Sequence, residues 1–159
     1  MDKTMLRDLI ERYQDTTMTI NRMMGRALQD CIPDGLTSDQ CSILRYLKQK
    51  KQCTSSQLAD FFIVSKSSIT AMVTRLVSKG LIQRIGNEHD RRVTHLSLTE
   101  EGDAMYGTIQ VRIEEVLSHY LNHFEENEAK TFIETYEKLA NILALEEGSR
   151  GNDENRIEG

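Results

Sequence analysis

Apolar residues recur every three or four positions over most of the chain, and only one central stretch switches to alternation. From Lys3 to Asp30, Leu6, Leu9, Ile10, Tyr13, Thr17, Ile20, Met24 and Leu28 keep helical intervals, which predicts one long amphipathic helix. Pro33-Asp34-Gly35 ends it. Thr37-Ser38-Asp39-Gln40 has the form of a capping box and leads into Cys41–Leu47, a helix that closes in Lys48-Gln49-Lys50-Lys51-Gln52. Next, Leu58, Ala59 and Phe62 share one face of a short helix preceded by the hydroxyl side chains of Ser55 and Ser56. After the break Ile63-Val64-Ser65, the run Lys66–Val77 places Ile69, Met72, Val73 and Leu76 at helical spacing. Lys79-Gly80 has the form of a helix C-terminus with Gly in the left-handed position. Leu81–Ile85 then reads as a strand, and Val93–Leu98 alternates apolar and polar residues and can pair with it. Two long helical patterns follow. The first is capped by Thr99, has Glu100 and Glu101 in its first turn and reaches about Phe124, with Gly107 a weak point. The second, Glu126 to Glu146, carries Phe132, Ile133, Tyr136, Leu139, Ala140 and Leu143. Residues 148–159, rich in Gly, Asn and charge, are expected to form a disordered tail.

This order of elements implies a mostly α fold with a small β-hairpin wing. A winged helix-turn-helix spans about 36–98, flanked by helices at about 3–30 and 99–146, all within one domain covering 1–147. The outer face of the second helix of the motif is built from Ser67, Ser68, Thr70, Ala71, Thr74 and Arg75. Ser and Thr are mediocre helix formers, so an exposed face made of them wastes propensity unless a contact demands it. A helix entering a major groove about 12 Å wide needs short hydrogen-bonding side chains near its N-terminus. Ser67, Ser68, Thr70 and Thr74 are therefore candidates for base or near-base contact, with Lys66 and Arg75 on phosphates and Ser65, Ala71 and Arg84 in the same interface. The hairpin tip Gly86–Arg92 ends in two guanidiniums. An Arg there, Arg91 or Arg92, can enter the narrow minor groove, and Asp90 can orient it by a bidentate pair. A solvated, salt-bridged loop is the competing reading of this tip. Ile63 departs from the usual turn chemistry, because a β-branched residue with positive φ is strained; either it keeps a negative φ or the turn is tightened differently.

Charge changes the picture in one respect. The net charge of −5 argues against a polyanionic partner, but from Arg45 to His95 ten basic residues face three acidic ones, a local +7 that leaves −12 for the remainder. Attraction to phosphate depends on the field within about one Debye length, roughly 8 Å in physiological salt, so the local sum governs. At 159 residues the chain can bury a core without a disulfide or metal. It has no apolar run of membrane-spanning length and no signal-like N-terminus, so a cytoplasmic protein without membrane contact is expected. Of its three cysteines, Cys41 reads as a small buried hydrophobe, and Cys53, behind Lys50 and Lys51 and ahead of a helix, as the better candidate for a lowered thiol pKa. Glu115, His119 and His123 share a helical face, but no further ligand follows at a set spacing, so no metal and no cofactor is expected. The seven methionines read as core filler. No Gly-rich phosphate loop, H-E-x-x-H or spaced His–Cys arrangement points to an enzyme.

Three segments carry a family resemblance: Val64–Thr70 opening the recognition helix, Lys79-Gly80-Leu81-Ile82-Gln83-Arg84 leading into the wing, and Asp90-Arg91-Arg92 followed by Leu98-Thr99-Glu100-Glu101-Gly102. The chain resembles the MarR transcriptional regulators over nearly its whole length. The resemblance implies a homodimeric bacterial regulator of double-stranded, pseudo-palindromic operator DNA, commonly a repressor released by a small-molecule effector or by thiol oxidation. The apolar stripes agree with a dimer, since neither long terminal segment can bury its stripe on a small winged helix alone. A protein-interaction module without specific DNA binding is the alternative. Replacing Arg92 by Ala is expected to weaken duplex binding tenfold or more at fixed salt, measured by titration of a labelled duplex, while sedimentation still shows a dimer.

Overall fold

In a computed structural model of the chain, the backbone of residues 2–86 and 93–157 is described, with side chains as far as residue 146. Helices α1 (Lys3–Gln29) and α2 (Ser38–Lys50) precede a short strand β1 (Cys53–Thr54). Helices α3 (Ser55–Phe62) and α4 (Lys66–Ser78) lead into strands β2 (Ile82–Gly86) and β3 (Thr94–Leu98), and then into α5 (Glu100–Leu121) and α6 (Glu126–Ile157). The chain divides into two units, Met1–Val116 and Leu117–Gly159.

In the first unit side-chain caps start α2 and α3, and backbone turns end α3 and α4. Thr37 and Gln40 close a reciprocal capping box at α2, with the Gln40 amide donating to Thr37 Oγ1 at 3.2 Å and Thr37 N–H donating to Gln40 Oε1 at 3.1 Å. A second such box, Thr54 with Gln57, starts α3, so the cap is Thr54 and not the serines after it. Both α3 and α4 end in Schellman turns. At α4, Gly80 takes φ +72° and the Leu81 amide reaches back to the Leu76 carbonyl at 3.0 Å. At α3, Val64 reaches back to Ala59 at 3.1 Å, and the left-handed residue is Ile63, with φ +53°. Of the two alternatives at Ile63, a negative φ is therefore not the one adopted. The turn between the helices is only three residues long, and the six-to-one hydrogen bond that closes it requires a left-handed residue at that point.

The sheet has the order β1-β3-β2, with both pairings antiparallel. Register pairs Arg84 with Leu96 and Ile82 with Leu98, while Cys53 faces Leu96 from the other side. Two residues are too few to show a period, so β1 is invisible in the sequence pattern. Ile43, Leu44, Leu47, Leu58, Ile69, Val73, Leu76, Ile82 and Leu96 form the centre of the buried core, joined by Ile109 from α5. Met72 and Met105 pack at its margin, whereas Met5, Met18 and Met23 are exposed on α1 and fill no core of this chain.

The first turn of α5 is fastened to the α4–β2 turn by backbone contacts. The Thr99 amide donates to the Leu81 carbonyl at 3.1 Å, the Thr99 hydroxyl donates to the Gly80 carbonyl, and the Gly102 amide donates to Thr99 Oγ1 at 3.0 Å. Gly102 is buried, and a Cβ on it would lie 1.9 Å from the Leu81 carbonyl oxygen. Only glycine lets α5 approach this closely. Lys48 of α2 and Asp103 of α5 add an ion pair across the same seam.

In the second unit, Phe124 stacks on Phe132 and Phe132 on Tyr136, with centroids 6.4 and 5.8 Å apart. The helix α6 continues to Ile157, so residues 148–157 extend a helix where the composition suggested a disordered tail. Extending a helix adds one hydrogen bond per residue fixed, which is far cheaper than nucleating one, so weak formers such as Gly148 and Gly151 are carried along. Introducing a methyl group at the seam, Gly102→Ala, is expected to lower unfolding free energy by about 3 kcal/mol, read from urea denaturation, because the obstructing atom is backbone and cannot rotate away.

Candidate nucleic-acid interface

Three side chains set the orientation of α4. Ile69, Val73 and Leu76 are almost fully buried, and their stripe leaves Lys66, Ser67, Ser68, Thr70, Ala71, Thr74 and Arg75 exposed together on the opposite side. Every α4 residue singled out from the sequence falls on that exposed side. Ser65 stands just before the helix as its cap: its hydroxyl oxygen accepts the Ser68 amide at 3.2 Å and lies 2.9 Å from the hydroxyls of both Ser67 and Ser68. Its hydroxyl is therefore spent on holding the first turn, and Ser67 and Ser68 are positioned by it. Thr70 donates its hydroxyl proton to the Lys66 carbonyl at 2.7 Å, which leaves its oxygen lone pairs outward as acceptors.

The strand β2 brings one cation to this face. Arg84, exposed on β2, donates from Nη2 to Thr74 Oγ1 at 3.4 Å, so the base of the hairpin and the recognition helix form one continuous surface. Asp90, Arg91 and Arg92 lie outside the described residues. The surface thus assembled offers hydroxyl donors and acceptors flanked by Lys66, Arg75 and Arg84, a combination suited to a duplex edge.

Beside it, the turn Ile63-Val64 is apolar and exposed, Ile63 at 72% and Val64 at 41%. A non-glycine residue in the left-handed region costs about 1–2 kcal/mol. The sequence marked Ile63 as a departure but gave no reason for it.

The thiols are differently placed from what the sequence suggested. Cys53 is buried at 3% exposure and packs in the core, where desolvation pushes its thiol up to about 11, the reverse of the lowered value expected beside lysines. Lys50 and Lys51 are exposed and spend their charge in water, while the Cys53 side chain turns inward from β1. Cys41 is half-buried and also raised, chiefly by desolvation and against a backbone hydrogen bond that lowers it. Cys31 is buried, with its thiol directed at the Ala27 carbonyl. His119 and His123 are exposed, with ring centroids 5.4 Å apart, and among the described residues no group of three or more potential ligands could hold a metal ion.

A helix-turn-helix whose second helix is exposed along a hydroxyl face, backed by an antiparallel hairpin, defines a winged-helix DNA-binding protein. The MarR family model matches residues 36–94, which is this region. Over 134 residues the chain is 33% identical to the HTH-type transcriptional repressor MdtR of Bacillus subtilis, covering 82% of this chain and 86% of that protein. It is 31% identical over 108 residues to the homoprotocatechuate degradative operon repressor of Escherichia coli, covering 68% of each. Among solved structures, the YusO protein of Bacillus subtilis is 29% identical with a TM-score of 0.63, over 89% of this chain and 98% of that one. A mutant MarR of Escherichia coli complexed with operator DNA shares the fold at a TM-score of 0.69 and 22% identity, over 83% and 96% of the two chains. The chain belongs to the MarR family and is a DNA-binding transcriptional regulator.

The buried Cys53 thiol gives a pH signature. With a folded-state pKa near 11 above an ordinary 9.0, the stability contributed by keeping it protonated is fully present below pH 9 and lost as pH rises through 11. Relative to a Cys53→Val variant, the wild-type protein is expected to lose additional stability between pH 9 and 11 in urea titrations. In the native protein at pH 8, iodoacetamide is expected to leave Cys53 unmodified.

Proposed function

We propose that this regulator is a homodimeric repressor that binds a pseudo-palindromic operator through Ser67, Ser68, Thr70, Ala71, Thr74, Lys66 and Arg75 of α4 and Arg84 of β2. The observation that carries the reading is the single exposed surface on which α4 and β2 meet at Thr74 and Arg84. Ser67, Ser68, Thr70 and Thr74 read base edges, Ala71 offers a methyl, and Lys66, Arg75 and Arg84 hold phosphates. The sequence adds Asp90, Arg91 and Arg92, with Arg92 entering the minor groove.

The dimer is supported by what α1 and α6 leave uncovered. No residue of α1 is buried, although Leu6, Leu9, Ile10 and Tyr13 form a stripe along it. On α6, Phe132, Ile133, Tyr136, Ile142 and Leu143 are exposed. Stripes of this size on a helix are stable in water only against another apolar surface, and a second copy supplies one by symmetry. Two copies of α4 related by a two-fold axis then meet major grooves about 34–36 Å apart.

Release by a small-molecule effector needs a site whose occupation favours one spacing of the two α4 helices over another. Burial of Cys53 disfavours it as an oxidant sensor. The protein acts in the cytoplasm and is not an enzyme; among the described residues no single helix is long and apolar enough to cross a membrane.

Salt separates this reading from a protein-interaction module. With six or more phosphate contacts, affinity for a selected duplex is expected to fall about a thousandfold or more between 50 and 200 mM salt. Footprinting is expected to protect two half-sites one helical turn apart. A salt-independent affinity, or protection of one half-site by a single subunit, would refute it.

A further inference from the structure

The turn between α3 and α4 holds an arrangement that the fold does not require. Two Schellman turns of the same hydrogen-bond pattern close α3 and α4, and the chain uses glycine in one and isoleucine in the other, Gly80 at φ +72° and Ile63 at φ +53°. Glycine adopts this conformation freely, and a β-branched residue does so under strain. The Ile63 side chain gains nothing from the core in exchange, since it is 72% exposed and stands outside the buried cluster. Val64, the next residue, is also exposed. A strained, exposed apolar residue next to a binding surface is best understood through a contact made outside the chain.

Position and charge say which contact. Ile63 and Val64 immediately precede Ser65, the cap of α4, and consecutive Cα atoms are 3.8 Å apart, so both lie within about 12 Å of the first turn of α4. The helix N-terminus is the end that reaches base edges in this motif. Lys66, Arg75 and Arg84 on the adjoining surface favour a polyanion, and the one apolar group on a duplex major-groove edge is the C5-methyl of thymine.

We propose that Ile63, with Val64 beside it, is a specificity element that packs on a thymine methyl group at the edge of each half-site. This rests on the DNA-reading role of α4 and adds a sequence preference that hydroxyl side chains alone do not supply. The Ile63 side chain stands outside the buried cluster, immediately ahead of the cap of α4.

The test begins with a duplex selected from a random pool by the wild-type protein. Each thymine is then replaced in turn by deoxyuridine, which keeps base pairing and groove hydrogen bonds and removes only the methyl. One position per half-site is expected to weaken wild-type binding by about fourfold, the factor that corresponds to burying one methyl group. In Ile63→Gly, which keeps the left-handed turn without strain, the thymine and deoxyuridine duplexes are expected to bind equally while thermal unfolding remains cooperative. Val64→Ala is expected to reduce the same discrimination in part. The proposal is overturned if wild type treats every deoxyuridine duplex like its thymine counterpart, or if Ile63→Gly keeps the full discrimination or weakens both duplexes by the same factor. Selection of no duplex at all would instead remove the DNA-reading role itself, and the proposal with it.

Discussion

Burial of Ile69, Val73 and Leu76 against the α2–α3–sheet core is the constraint on which the rest of this molecule depends. The stripe is narrow, so it fixes the rotation of α4 about its own axis and leaves most of the helix circumference free. Because Ser67, Ser68, Thr70, Ala71 and Thr74 on the free face are small, the backbone of α4 can come close to another surface there. The serine cap reinforces this, since Ser65 organises Ser67 and Ser68 before any ligand arrives. Preorganisation of this kind lowers the entropy lost on binding.

A second constraint ties the reading unit to its support. Thr99 satisfies the Gly80 carbonyl with its hydroxyl and the Leu81 carbonyl with its amide and at the same time caps α5, so one residue ends the α4–β2 turn and begins the long helix. Backbone groups that would otherwise be orphaned at a helix terminus are thereby used as fasteners. The segment Leu98-Thr99-Glu100-Glu101-Gly102, conspicuous in the sequence, is explained by this joint and not by ligand chemistry.

Much of this was legible in the sequence, for identifiable reasons. Long periodic helices, the Thr37–Gln40 box, the glycine ending α4 and the alternating return strand are local signals, and the local signal agrees with the tertiary structure at each of them. The face of α4 was readable because its apolar and hydroxyl residues segregate cleanly. What escaped was set by non-local partners. The strand β1 exists only because β3 offers an edge, and the acidity of Cys53 is governed by the core it turns into, not by the lysines beside it in sequence. Likewise Met5, Met18 and Met23 have the composition of core residues but stand on a helix with no core of its own chain to fill. The contact of Arg84 with Thr74 joins positions ten residues apart on different elements, beyond the reach of any periodicity.

The absence of a side chain at residue 102 has a mechanical meaning as well as a steric one. With carbonyl oxygen and helix backbone in direct contact, no soft layer of side chains lies between α5 and the turn below α4 that could shear or repack. The start of α5 and the reading unit must therefore travel as a single stiff body. Any displacement that reaches the first turn of α5 is therefore passed to α4 without slack, and position 102 acts as the weld between them.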